Sequence, residues 1–359
     1  MPTIDAEIIV IGAGVIGLAI AERLSRSGKQ VIIVEKENSF GQHTSSRNSE
    51  VIHSGIYYQA NSLKSKLCIE GNKMLYDFAH EHNIHHKKCG KFIICQKGEE
   101  GYLIDILSNG KRNGIEGLTI AKDNIPDTIK YNTAVWVPST GIIDSHALMY
   151  ELNRQIGQRN NVYVGFGCNV RSIQYDRYEG GTFRVGIDDF HLTSKILINC
   201  AGLWADKIAN LLFPNQYRLE FWKGDYYKTN KIKNLNHLIY PLPRFDSLGI
   251  HTRINLDGSV SFGPNAYRVY DVDYNIDERF KESFLSSINE YIELGDEDIF
   301  PDYSGIRPRL SGNEGNKKDF IIKNEIDNGF RNMINLIGIE SPGLTCCLSI
   351  AKYVEGIIV

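Results

Sequence analysis

The sequence predicts an α/β protein of two interleaved domains. One is built on a parallel sheet covered on both faces, the other is α+β on a mixed, largely antiparallel sheet. Three observations predict it. Residues 7–36 read as strand, tight turn, helix and strand, about the length that a parallel crossover unit requires. The stretch from Leu219 to Phe262 is all-β in pattern, with aromatic runs broken by turns. The chain has 359 residues and 42% hydrophobic content, enough for more than one core.

The elements follow in order. IIVIG is a buried strand, GAGVIG a tight turn, LAIAERLSRSG a helix closing on Gly28, and VIIVEK a second buried strand. Continuous β-branched runs suit a parallel sheet buried on both faces. Leu67, Met74, Leu75 and Phe78 give Ser62 to His82 helical spacing. Lys91 to Gln96 reads as a strand, Tyr102 to Arg112 as a helix and Ala134 to Val137 as a strand. PSTGIIDSHALMYEL turns into a helix that Asp144 or Ser145 can cap. Asn161 to Val170, Phe183 to Ile187 and Lys195 to Asn199 read as successive strands, the last running into CAGLWAD. Within the β-rich stretch, DGS between two apolar runs signals a hairpin. A helical segment spans roughly Arg279 to Tyr291, and the chain closes with a strand, a Gly/Pro turn and an apolar helix.

Composition excludes several classes. The net charge is -3, and no basic stripe points to nucleic acid. The seven cysteines are scattered without a CxxC, so they read as reduced thiols of a cytoplasmic protein and not as metal ligands. The apolar run Ile8 to Leu24 contains three glycines, Glu22 and Arg23, and lacks a basic leader; it is neither a signal peptide nor a membrane span.

Gly12, Gly14 and Gly17 stand between strand and helix in the spacing of a dinucleotide site. The first makes the turn, the second admits a pyrophosphate, and the third lets the helix pack on the sheet. Glu35, followed by Lys36, ends the second strand and can accept bonds from an adenosine ribose. Next comes TSSRNSEVIHSGIYY, near the carboxyl end of the sheet, where ligands bind. Ser45, Ser46, Asn48 and Ser49 can donate to a ribityl chain or pyrophosphate, with His53 further along. Ala201 and Gly202 allow close backbone approach to a cofactor. Gly338, Gly343, Leu344 and Thr345 lie where a turn opens the last helix, whose N–H groups can stabilise an anion. His251 and Arg253 are two apart on a strand and share a face suited to a carboxylate. Arg307 is a second carboxylate candidate, with Tyr240 and Arg309 behind it, and Tyr57 and Tyr58 read first as packing residues.

Together VIGAGVIGLAIA, SSRNSEVIHSGIYY, SLKSKLCIEGNKML, PSTGIIDSHALM, NCAGLWAD, LIYPLP, GIHTRINLDGSVSFGPNA, GIRPRLSG and NLIGIESPGLT resemble the FAD-dependent oxidoreductases of the D-amino-acid oxidase superfamily. The chain looks most like the L-2-hydroxyglutarate dehydrogenase/oxidase branch. The resemblance implies a Rossmann-like FAD-binding domain, with Val170 among its cofactor contacts, and a substrate domain roofing the flavin. It implies oxidation of an L-2-hydroxy acid, with hydride passing to flavin N5 and electrons passing on to a quinone, carrier protein or oxygen. In that setting His53 is the base, since an imidazole has an ordinary pKa of about 6.5. His251 and Arg307 join it as catalytic candidates, and Tyr57, Tyr240 and Arg253 as substrate-binding ones.

On this reading residues 1–88, 139–218 and 305–359 form the FAD-binding domain, and 89–138 and 219–304 the substrate domain. Related chains often carry arginine three positions after the strand histidine; here Ile254 stands there and Arg253 one position earlier, which changes its face. Cys346 and Cys347 fall within the apolar last helix, which favours noncovalent FAD. The expected setting is cytoplasmic, without an integral membrane segment, and compatible with a peripheral place on the membrane's inner face. A flavin amine oxidase acting on glycine, sarcosine or an amino acid shares the fold and is the alternative. A dinucleotide-bound sensor without activity is the third reading.

Overall fold

The computed structural model describes residues 4–121, 124–178, 181–233, 235–243, 249–312 and 319–359. Its largest sheet has eight strands. Along the main path the order is Val170–Asp176, Thr182–Ile187, Phe190–Asn199, Ala6–Ile11, Val31–Val34 and Val162–Gly165. Met333–Ile337 also pairs with Phe190–Asn199, in parallel, and carries Ile321–Asn324 antiparallel on its other side. The Ala6–Ile11 strand is parallel to both of its neighbours. Ile8 and Val10 pack with the helices Val15–Ser25, Leu63–Glu81, Ser145–Gly157 and Gly343–Ile357. Ile9 and Ile11 pack on the opposite face against Ile173, Phe183 and Val185. Burial on both faces is why these strands read as unbroken apolar runs.

The helices begin where local chemistry predicts. Ser62 accepts the Ser65 N–H at 3.1 Å, and Asp319 accepts the Leu63 and Lys64 N–H groups at 2.5 and 2.8 Å, placing a carboxylate on the positive helix end. Asp144, of the two capping candidates, is the one that caps the Ser145–Gly157 helix, through Ala147. The expected DGS hairpin is present, with Ile254 opposite Val260.

Two readings need correction. Asn161 to Val170 is not one strand. The chain turns at Gly167, whose φ of 68° is the left-handed region, and Val162–Gly165 and Val170–Asp176 lie at opposite edges of the sheet path. A second difference is the twelve-residue strand Ile299–Leu310, which the pattern FPDYSGIRPRL conceals. It pairs with Leu219–Thr229 on an edge of a five-stranded sheet, where prolines 301 and 308 are tolerated. It also runs unbroken through position 305, one of the expected domain boundaries. The β-rich stretch 219–262 includes 234 and 244–248, which lie outside the described residues.

A four-stranded sheet completes the roof, in the order Leu238–Pro241, Lys91–Cys95, Thr133–Val137, Thr119–Ala121. The small sheet containing Val51–Ile52 and Gly141–Ile143 lies between the two bodies in sequence and carries His53 at its end. No helix among the described residues is long and apolar enough to cross a membrane.

Candidate active site

One cavity of about 440 Å³ runs from the glycine turn to the roof strands. Its first end is built by Gly12, Gly14, Glu35, Lys36 and Val170. Gly12 has φ 104°, and a Cβ there would sit 2.5 Å from the Cys200 carbonyl oxygen. A Cβ on Gly17 would lie 1.9 Å from the Gly12 carbonyl oxygen. These contacts seat the helix on the sheet, so the first and third glycines do what their spacing implies. Gly14 caps the Val15–Ser25 helix without a side chain, and Ser45 Oγ accepts the Val15 N–H at 3.0 Å. Glu35 accepts the Ala13 and Glu37 N–H groups at 2.7 and 2.9 Å, which fixes its carboxylate beside the turn with acceptor capacity to spare. Lys36 Nζ lies 3.3 Å from the centre of the Trp204 ring and 2.8 Å from Glu37. The second cavity-lining helix start, Pro342 to Leu344, also lacks a capping side chain. Two helix N-termini open on one elongated cavity, with a carboxylate at one end, and this fits an extended anionic dinucleotide.

The 44–50 loop is pinned to the Ile299–Leu310 strand. Thr44 Oγ1 donates to the Ile306 carbonyl at 3.0 Å and Tyr303 Oη to the Asn48 carbonyl at 2.6 Å. Ser45, Asn48 and Ser49 line the cavity. Ser46 does not; its hydroxyl donates to the His43 carbonyl. Nor is the Asn48 amide a free donor. It donates to the Ser45 carbonyl at 2.7 Å and accepts the Glu50 N–H at 2.8 Å, so it shapes the loop. Ala201, Gly202, Gly343 and Leu344 line the cavity, while Gly338 does not and packs against Leu310. Thr345 accepts the His53 N–H at 2.9 Å and donates to the Val51 carbonyl at 3.3 Å, tying the last helix to the histidine's backbone.

The reactive end brings together His53, His251 and Arg307. His53 is buried, and its Nε2 lies 3.2 Å from Ser341 Oγ. Ser341 Oγ is in turn 3.3 Å from Tyr58 Oη. His251 Nδ1 donates to the Gly249 carbonyl at 2.9 Å, which leaves Nε2 as a bare acceptor, and that atom is buried without a partner. Burial, then the charges of Lys91 and Arg307 among others, lowers both imidazoles to a pKa of about 3. Both are therefore neutral at physiological pH. Arg307 is half-buried, and its side chain has no ion pair or hydrogen bond among the described residues.

Arg253 occupies a different role from the one expected. Its guanidinium pairs with Glu50 at 2.5 Å and donates to the Ser49 carbonyl at 3.2 Å, and it does not line the cavity. The shift of one position away from Ile254 has given it to the loop, not to a ligand. Tyr240 is fully buried and stacks on His251, centroids 3.8 Å apart, so it supports the imidazole from behind. Tyr57 also lies outside the cavity wall.

Three charged residues escaped sequence reasoning. Glu340 lines the cavity next to Ser341 and sits between Lys64 at 3.1 Å and Arg309 at 3.4 Å, all buried. Burial opposes its ionised form, but Lys64 and Arg309 outweigh that and hold its pKa below the usual carboxylate range. Lys91 is 1% exposed, and burial lowers its pKa to about 7. It opens the strand Lys91–Cys95, all five residues of which are buried, a fact that the local pattern does not carry.

With this geometry in place, the chain can be set beside known proteins. Residues 7–356 match the family model described as DAO, FAD dependent oxidoreductase, and the chain belongs to that family. It is 34% identical to the mitochondrial L-2-hydroxyglutarate dehydrogenase of Arabidopsis thaliana, with 96% of this chain and 82% of that one covered. It is 29% identical to the L-2-hydroxyglutarate dehydrogenase of Indibacter alkaliphilus, with 98% of each covered. Among solved structures, the FAD-bound L-alpha-glycerophosphate oxidase of Mycoplasma pneumoniae superposes with a TM-score of 0.87 at 23% identity, over 98% of this chain and 94% of that one. The glycine oxidase of Geobacillus kaustophilus superposes at 0.81 with 15% identity, over 98% of this chain and 94% of that one.

Proposed function

We propose that this FAD-dependent oxidoreductase oxidises a small L-2-hydroxy acid to the 2-oxo acid, with L-2-hydroxyglutarate, giving 2-oxoglutarate, as substrate. The observation that carries the reading is the set at the reactive end: two buried neutral imidazoles beside an arginine whose side chain has no ion pair or hydrogen bond among the described residues. Full-length similarity to chains named L-2-hydroxyglutarate dehydrogenase supports the choice of acid.

Arg307 takes the C1 carboxylate, since a planar guanidinium matches a carboxylate with two parallel hydrogen bonds. That fixes the neighbouring carbinol near both histidines. His53 accepts the hydroxyl proton at Nδ1, which has no partner among the described residues, while Ser341 Oγ holds Nε2 and orients the ring. His251, held by its Nδ1 bond to the Gly249 carbonyl and stacked on Tyr240, walls the same end of the cavity and leaves the hydroxyl proton to His53. FAD, when bound, supplies the acceptor for the hydrogen and electron pair that leave the α-carbon. The loop at Asn48 and the Thr345 bond to His53 keep the base from drifting. A neutral amine carries its own lone pair and needs no such base, so the paired imidazoles favour the hydroxy acid over the amine-oxidase alternative.

The test is His53→Ala, assayed with L-2-hydroxyglutarate under saturating acceptor. The expected result is a kcat lower by about 10²–10⁴-fold, the usual worth of a general base, with flavin content unchanged. A kcat within threefold of wild type removes His53 from the mechanism.

A further inference from the structure

Tyr58 reads from the sequence as a packing residue, yet the fold holds it by more than packing. Its backbone carbonyl accepts side-chain N–H groups of Asn109 and Asn113 at 2.9 Å each. Asn109 also donates to the Ile56 carbonyl at 2.8 Å, and Asn113 to that of Gly55 at 3.1 Å. Both sit at the end of the helix Glu100–Arg112, and together they clamp the 55–58 turn. His53, just before that turn, is fixed in the same manner. Thr345 accepts its N–H, and Asn72 donates to its carbonyl at 2.9 Å while also holding the Ser139 carbonyl. Ser341 Oγ stands between the two fixed residues, 3.2 Å from His53 Nε2 and 3.3 Å from Tyr58 Oη.

The series crosses the cavity wall. His53 and Ser341 line the cavity and Tyr58 does not. Tyr58 is half-buried, with the exposed residues Gln59 and Asn61 just after it, and its hydroxyl meets no second protein partner among the described residues. Its own proton is therefore left for water. Proton counting then sets the direction of the series. A neutral imidazole carries one N–H, and a hydroxyl has one proton to give. For His53 to accept at Nδ1, its ring proton must sit on Nε2 and be donated to Ser341 Oγ. Ser341 then needs an acceptor for its own proton, and Tyr58 Oη stands within reach. Without the phenol oxygen, Ser341 turns its proton onto Nε2. The ring then takes the other tautomer, with Nδ1 protonated and unable to act as a base. The setting makes this choice count. Burial and the charges of Lys91 and Arg307 oppose a charged ring, so a hydrogen bond that strengthens as the ring charges is of direct use.

We propose that Tyr58, acting through Ser341, sets the tautomer of His53 and keeps Nδ1 bare for the substrate hydroxyl. The proposal rests on the hydroxy-acid reading above, in which His53 is the base. Lying outside the cavity wall, Tyr58 is a positioning residue. The bonds run from Nε2–H to Ser341 Oγ, from the Ser341 hydroxyl to Tyr58 Oη, and from the phenol to water. In the reaction the substrate O–H bond breaks as Nδ1–H forms, and the charge that the ring gains strengthens the series. The hydrogen and electron pair of the α-carbon leave to the cofactor as in the reaction above, so no further reactant is needed.

The experiment records the ¹⁵N resonances of the histidine rings in oxidised holoenzyme, where bare and protonated ring nitrogens are well separated. His53→Ala identifies the His53 pair by its loss. Wild type is expected to show Nε2 protonated and Nδ1 bare. Tyr58→Phe keeps the aromatic ring and its packing. It is expected to move the proton to Nδ1 and to lower kcat for L-2-hydroxyglutarate about tenfold with KM within about threefold, the scale of one hydrogen bond to a group that becomes charged. An unchanged tautomer in flavin-loaded Tyr58→Phe overturns the proposal whatever the rate does, because a packing role alone then suffices. A tautomer that moves while kcat stays within about threefold also overturns it. Should Tyr58→Phe lose its flavin, Ser341→Ala and Ser341→Thr decide. A rate lost in the first and regained in the second, with Nδ1 bare, supports the proposal; equal rates in both overturn it. Wild type with Nδ1 protonated means that the series runs the other way, which overturns the proposal, and a flavin that L-2-hydroxyglutarate still bleaches leaves the hydroxy-acid reading standing. Wild-type flavin that this acid does not bleach overturns that reading and the proposal together.

Discussion

Replacing Arg307 with methionine removes a cavity-lining guanidinium that has no ion pair or side-chain hydrogen bond among the described residues. The magnitude follows from the setting. Two unit charges about 4 Å apart near a protein surface attract by about 4 kcal/mol. A hydrogen bond to a charged group has a net worth of about 1.5–3 kcal/mol. Because Arg307 is half-buried, the lower figure applies, and a net loss of about 1.5–3 kcal/mol corresponds to a fall in kcat/KM of about 10- to 150-fold. The fall should appear mostly in KM, since the contact exists in both ground and transition states. No ion pair among the described residues is broken, so the melting temperature should stay within about 2 °C and flavin content should not change. Steady-state kinetics at several L-2-hydroxyglutarate concentrations, with a thermal melt on the same preparation, provide the assay. A kcat/KM within threefold of wild type in a flavin-loaded variant would refute the carboxylate assignment.

Three further outcomes follow from the same geometry. Arg253→Met should destabilise the fold by roughly 2–4 kcal/mol, less than for a fully buried pair because the Glu50 side chain is 22% exposed, with little change in KM; a thermal melt and KM measured together check it. Lys64→Met should weaken FAD binding, because Glu340 loses one of its two ion-pair partners among the described residues beside the 338–343 turn, and flavin release on dilution reads this. The Glu340 carboxylate is held below its unfolded value, so its contribution to stability is present above about pH 4.3, is lost as pH falls through the lower folded value, and should shrink in Lys64→Met. Cys346 and Cys347 are fully buried, and burial raises both thiols, so acid precipitation should leave all of the flavin in the supernatant; flavin retained in the pellet would contradict noncovalent binding.

Much of the cofactor end was legible because its signals are local. The glycine spacing, the strand on either side and the carboxylate of Glu35 all fall within residues 7–36, and each acts through backbone geometry. The Ile299–Leu310 strand was hidden by its prolines, which only an edge position excuses. The reactive end depends on contacts between distant segments. His53 owes its backbone to Thr345, 292 positions away, and its ring to Ser341. Alternation along a strand placed His251 and Arg253 on one face, but not which of them would meet a loop carboxylate. Lys91 shows the limit most clearly: a lysine opening a strand looks solvated until the sheets that enclose it are known.

The most direct test of the central claim is the visible spectrum of the purified protein under anaerobic conditions, before and after addition of L-2-hydroxyglutarate. The account predicts a bound-flavin spectrum that bleaches with this acid and stays oxidised with its D-enantiomer, glycine and sarcosine. A flavin that stays oxidised with L-2-hydroxyglutarate, and bleaches with an amine, would contradict it.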